Sequence, residues 1–83
     1  MTVIKPGLFS IQQRFPDCKD SLRRLYRKSE SFQGICQNYQ ECLNAFNHWS
    51  GSEDEQAPHR KHEYAELIKE LEQEIIQRLE EER

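Results

Sequence analysis

The chain has 83 residues, 33% charged and 35% hydrophobic, with a formal net charge of −3 and a mean hydropathy of −1.01. That length holds one domain, whose core is thin because a chain this short leaves about 40% of its unfolded surface exposed. No run of about 18 apolar residues exists, so a membrane span is excluded, and the steady recurrence of Leu, Ile, Phe, Tyr and Trp after residue 15 argues against wholesale disorder.

Residues 1–14 read as a flexible arm, either a frayed terminus or an apolar strap over the bundle, with fraying expected through Gly7 and some contact beyond it. Val3, Ile4, Leu8, Phe9 and Ile11 are apolar, but Pro6-Gly7 interrupts any long element, and Ser10 with Gln13 could cap at most one helical turn. Met1 to Lys5 offer no continuous apolar h-region, and Thr2 stands where myristoylation needs glycine. The expected address is therefore the cytoplasm. Three cysteines, Cys18, Cys36 and Cys42, are an odd number there, which speaks against a disulfide framework.

A single helical domain is expected over residues 15–83. Pro16 suits a first helical turn, and Cys18, Leu22, Leu25 and Tyr26 share one face, which predicts a first helix over 16–28. Its remaining surface is basic: Arg23, Arg24, Arg27 and Lys28. After the cap-rich Ser29-Glu30-Ser31 comes the clearest periodicity in the chain. Phe32, Ile35, Cys36, Tyr39, Cys42, Leu43, Phe46 and Trp49 keep to one stripe at about 100° per residue, predicting a second helix over 31–49. Gly34 within it costs up to about 1 kcal/mol.

Residues 50–58 read as a polar loop, with Gly51 as a stop and Pro58 as a start. Tyr64, Leu67, Ile68, Leu71, Ile75 and Leu79 form the stripe of a third helix over 58–81, with Ile76 off its centre. Its Glu80-Glu81-Glu82 end sits at the negative pole of the helix dipole and is expected to fray. The fold class is thus all-α. The expected architecture is an antiparallel helical hairpin with a short preceding helix, closed either as a three-helix unit or as a dimeric four-helix bundle.

Charge is unevenly spread. Residues 1–30 carry seven Lys/Arg and three Asp/Glu, a balance of +4, whereas residues 53–83 carry five and eleven, a balance of −6. The basic first helix and the acidic third could therefore lie side by side.

Phe15-Pro16, Leu22, Leu25, Phe32, Ile35, Tyr39 and Leu43 resemble the first half of the YdcH-like proteins, a small bacterial domain of unknown function. Leu71, Glu74, Ile75 and Leu79 are similar to that family's closing segment. The resemblance implies a helical hairpin in a bacterial cytoplasm and supplies no activity. Where the family carries a Lys/Arg-rich stretch, this chain has Glu70, Glu72 and Gln73, so no function resting on a basic surface there is implied.

Several chemistries weigh little. His59 and His62 share a helix face with Glu63 or Glu66, but a metal site needs three or four convergent ligands, so no metal or cofactor is expected. Cys36 and Cys42 lie on the apolar stripe and read as core. No G-x-S-x-G, P-loop or H-E-x-x-H pattern appears, and a thin bundle lacks room for a pocket of about 300 Å³. An enzyme is not expected.

The reading is a small protein–protein interaction module whose apolar stripes associate through helix packing, with itself as a homodimer or with a larger protein partner. Trp49 and Ile76 are its candidate contacts. The alternative is a nucleic-acid-binding accessory protein using Arg23, Arg24, Arg27 and Lys28, against which stands a sequence pI near 5.6.

Overall fold

The computed structural model describes residues 6–82 and shows an all-α protein. Helix α1 spans Pro6–Arg14, a 3₁₀ turn spans Pro16–Cys18, and α2, α3 and α4 span Lys19–Lys28, Glu30–Ser50 and Ala57–Glu81. Val3 and Ile4 lie outside the described residues.

The first correction concerns the arm. From Pro6 onward it is a helix whose Ile11 is fully buried and which packs along α3. Pro6 fits the first helical turn, where a missing N–H costs nothing. Gly7 is not a breaker but a contact: a Cβ there would collide with the carbonyl oxygen of Cys36 on α3. The small residue lets the two backbones approach. Pro16 then ends α1 by keeping Phe15 out of the α region, at φ −125° and ψ 70°.

The helix expected over 16–28 divides. The Phe15 carbonyl accepts from the Cys18 N–H at 3.0 Å, which makes the opening turn 3₁₀, and the α-helix proper begins at Lys19. Ser29 alone makes the corner into α3. Its backbone is extended, its N–H closes α2 on the Leu25 carbonyl at 3.0 Å, and its Oγ accepts from the Phe32 N–H at 3.1 Å. One residue thus ends one helix and caps the next.

The loop between α3 and α4 is residues 51–56, shorter than the sequence implies. Asp54 organises it: Oδ1 accepts from the Gln56 N–H at 2.8 Å, and its carbonyl accepts from the Ala57 N–H at 3.0 Å. Helices α3 and α4 run antiparallel, since Ser31 meets Arg78, Tyr39 meets Glu72, and Phe46 meets Lys61.

The core is not centred on this pair. Ile11, Leu22, Leu25, Phe32, Ile35, Cys36, Tyr39 and Ile75 form it. They gather α1, α2, the first half of α3 and the far half of α4. Beyond Tyr39 the cover on α3 thins: α1 still reaches Gln40, whose Oε1 accepts from the Ser10 hydroxyl at 2.7 Å, and Leu43, Phe46 and Trp49 remain half-buried. Two helices alone leave a flank open, and α1 and α2 close it over half the length. Two layers result, matching the shortest dimension of 22 Å, about two helix diameters.

The end of α4 is also corrected. It stays helical to Glu81, and Lys28 forms an ion pair with Glu82. The cation offsets the charge that would otherwise oppose the dipole there.

Candidate functional site

Turning by 100° per residue, α4 aims Ile75 at the core, with Leu67 about 80° to one side and Ile76 about 100° to the other. Both flanking residues are exposed, Leu67 at 43% and Ile76 at 41%. For Leu67 this is a correction, because the sequence places it in the buried stripe. Opposite it, α3 presents Cys42, too small to cover it.

A groove of about 260 Å³ follows from this gap. Leu67, Leu71 and Cys42 are its apolar lining, and Glu41, Glu70 and Glu74 are its acidic rim, with Asn38 at one end. Burial and the neighbouring Glu41 push the Cys42 thiol up from its ordinary pKa, so it stays protonated and apolar in character. The groove is lined by α3 and α4 alone, and Glu41 is shared between it and a cleft that α1 and α2 border. The signal that could locate it is the offset of Leu67 from Ile75 combined with Glu70 and Glu74 spaced i, i+4 beside it.

Trp49 and Ile76, the two candidate contacts, are not brought together. Trp49 lies at the hairpin tip beside Ala57, Pro58 and Lys61, edge-on to His48 with ring centres 5.1 Å apart. Ile76 is fifteen residues further along α4 than Lys61, ~22 Å away along the axis.

The basic candidates separate as well. Arg23, Arg24 and Arg27 are exposed on the outer side of α2, with Arg23 meeting Asp20 at 3.7 Å and Arg24 meeting the Ser21 hydroxyl at 3.2 Å. Lys28 instead holds Glu82. Among the described residues, the other ion pair that reaches α4 from elsewhere comes from α1, Arg14 to Glu72 at 3.0 Å. The basic face of α2 is therefore not laid along acidic α4.

The structure also corrects the expectation that the bundle has no sizeable hollow. A cleft of about 630 Å³ opens between the start of α1, Tyr26 and α3, because the supposed arm folds beside α3. Gln33, Gln37 and Gln40 line it, and Gln33 donates to the Tyr26 carbonyl at 2.6 Å. Its carboxylates, Glu30 and Glu41, are eleven residues apart on one helix, roughly 16 Å, too far to share an acid–base step. Cys36 beneath it is 2% exposed, and burial pushes its thiol up to about 12, which leaves no thiolate at neutral pH.

His59 meets Glu63 at 3.3 Å, and among the described residues no three His, Cys, Asp or Glu side chains converge as metal ligands. Among the same residues, no helix is long and apolar enough to cross a membrane. Comparison with known proteins finds no family, no curated protein and no solved structure that matches this chain.

Proposed function

We propose that this chain is a non-enzymatic helical module that docks another protein on the open flank of the α3/α4 pair. The observation that carries the reading is the groove itself: an exposed leucine over an apolar lining, edged by carboxylates, on a domain whose core is closed elsewhere. An apolar centre with a polar rim is the anatomy of a protein interface. The resemblance to YdcH-like hairpin proteins fits this reading without adding an activity.

A foreign partner suits the groove better than a second copy face to face. Two copies meeting there would set Glu41, Glu70 and Glu74 against their equivalents, and like charges across an interface are costly. Trp49, near the end of α3 at the hairpin tip, and Ile76, far along α4 from that tip, form no continuous surface for self-association.

The test is photo-crosslinking in cells from a benzoylphenylalanine placed at position 67, with exposed position 69, about 160° around α4 from it, as the control. Protein adducts from 67 and none from 69 support docking. Absence of adducts from both removes it.

The exposure of Arg23, Arg24 and Arg27 keeps a second reading, phosphate contact by α2. Fluorescence anisotropy of labelled DNA and RNA at low salt decides it. Binding that is lost in the Arg23→Glu, Arg27→Glu double variant supports this reading, and no binding by the native chain ends it.

A further inference from the structure

We infer that the α3/α4 groove receives a basic amphipathic helix of a partner protein. One of its apolar side chains would sit among Cys42, Leu67 and Leu71, with flanking Lys or Arg side chains on Glu41, Glu70 and Glu74. The inference rests on the docking reading above and names the partner's chemistry.

Size comes first. At about 260 Å³ the groove falls below the roughly 300–1,000 Å³ that small-molecule sites occupy, and it is open along its length. It takes a side-chain anchor. Two antiparallel helices form its walls, so its direction follows their axes, and a third helix can lie along them at the shallow angle of bundle packing.

Charge decides what kind of helix. Among the described residues the ion pairs engage Asp20, Glu63, Glu72 and Glu82, and none engages Glu41, Glu70 or Glu74. Glu66, Glu70 and Glu74 follow at i, i+4 on the exposed side of α4, where like charges repel. No ion pair among the described residues engages any of the three, and Arg78, four residues after Glu74, donates to Ser31 Oγ at 2.9 Å. Cations one helical turn apart on a partner would meet Glu70 and Glu74 in register, since those two are themselves one turn apart.

The chain's own basic helix does not fit. The apolar residues of α2, Leu22 and Leu25, are buried in its own core, so its exposed face offers Arg23 and Arg27 with no anchor between them. In α1 the cation among the described residues, Arg14, is held by Glu72 and is not free beside the exposed Phe9.

The experiment titrates the full isotope-labelled chain with two synthetic helical peptides. Both carry a leucine stripe, one flanked by lysines and one by glutamates. The expected result is that the lysine peptide binds, shifting the amides of Cys42, Leu67 and Leu71, and that the glutamate peptide does not. Leu67→Asp should weaken binding by about tenfold or more. The Glu70→Lys, Glu74→Lys variant should reverse the preference and favour the glutamate peptide. All three positions are exposed, and circular dichroism confirms that each variant keeps its helicity.

No binding, equal binding of both peptides, or shifts confined to the Trp49 hollow or the cleft beside Gly7 would overturn the inference. So would an adduct from position 67 whose mass is that of two copies of this chain. The two failures separate. Adducts with a partner whose contacting segment is not basic leave the docking reading standing and end the basic-helix inference. Absence of adducts removes the docking reading itself.

Discussion

Tyr39 on α3 donates its hydroxyl hydrogen to Oε2 of Glu72 on α4 at 2.7 Å, and the same oxygen accepts from Nε of Arg14 on α1 at 3.0 Å. One carboxylate joins three helices. The tyrosine is 3% exposed and the glutamate side chain 18%, so this pairing works where water competes little. From the sequence, Glu72 is one more charge on a solvated face. The fold instead makes it the polar centre of the domain.

Removing that centre has unequal effects from its two sides. Glu72→Ala strands the buried Tyr39 hydroxyl and frees Arg14, and should cost about 2–3 kcal/mol, the range for a lost bond to a charged group plus an unsatisfied donor. Tyr39→Phe removes donor and need together and leaves Arg14 on Glu72, and should cost about 1 kcal/mol. Urea denaturation of the two variants checks the ratio.

Glycines 7 and 34 should respond in opposite directions to alanine. Gly7→Ala collides with the Cys36 carbonyl and must push α1 off α3, at about 1–3 kcal/mol for an overpacked contact. Gly34 has nothing near its missing Cβ and sits in the second turn of α3, so Gly34→Ala should stabilise by up to about 1 kcal/mol. Thermal melting of both variants gives the sign, and amide exchange in α1 should accelerate only for Gly7→Ala.

Ile11→Ala tests whether α1 belongs to the core. A fully buried isoleucine truncated to alanine costs about 2–5 kcal/mol, whereas a residue on a loose arm would cost almost nothing. Phe9→Ala on the exposed face of the same helix serves as the control, with an expected change within about 0.5 kcal/mol.

Alkaline pH should destabilise the fold through Cys36 and Tyr39. Burial raises both, and the bond to Glu72 adds to the rise for Tyr39. The unfolded chain loses the Cys36 proton near 9 while the folded chain keeps it to about 12. The unfolded state therefore binds fewer protons in that window, so stability falls as pH rises through it and is fully present below it. Urea midpoints measured from pH 8 to 11 should decline, and Cys36→Ala should flatten the slope.

The existence and type of α3 and α4 were written in the sequence, because a 3.6-residue apolar period is a local property that any reader of the chain can count, whereas α1 was hidden behind Pro6-Gly7. Phe32 to Trp49 and Tyr64 to Leu79 announce α3 and α4, and Ser29 announces a cap. Which residues on those stripes are covered is not local. Leu67 has the right spacing and stays exposed because Cys42 opposite it is small. Glu72 has the wrong chemistry and is half-buried because Tyr39 and Arg14 arrive from two other helices. Gly7 shows the limit most clearly: by itself it reads as an interruption, and only the approach of α3 turns it into the point where α1 docks. Periodicity sets which face of a helix is apolar. Burial depends on what stands across from it, and that partner is chosen by the packing of the whole chain.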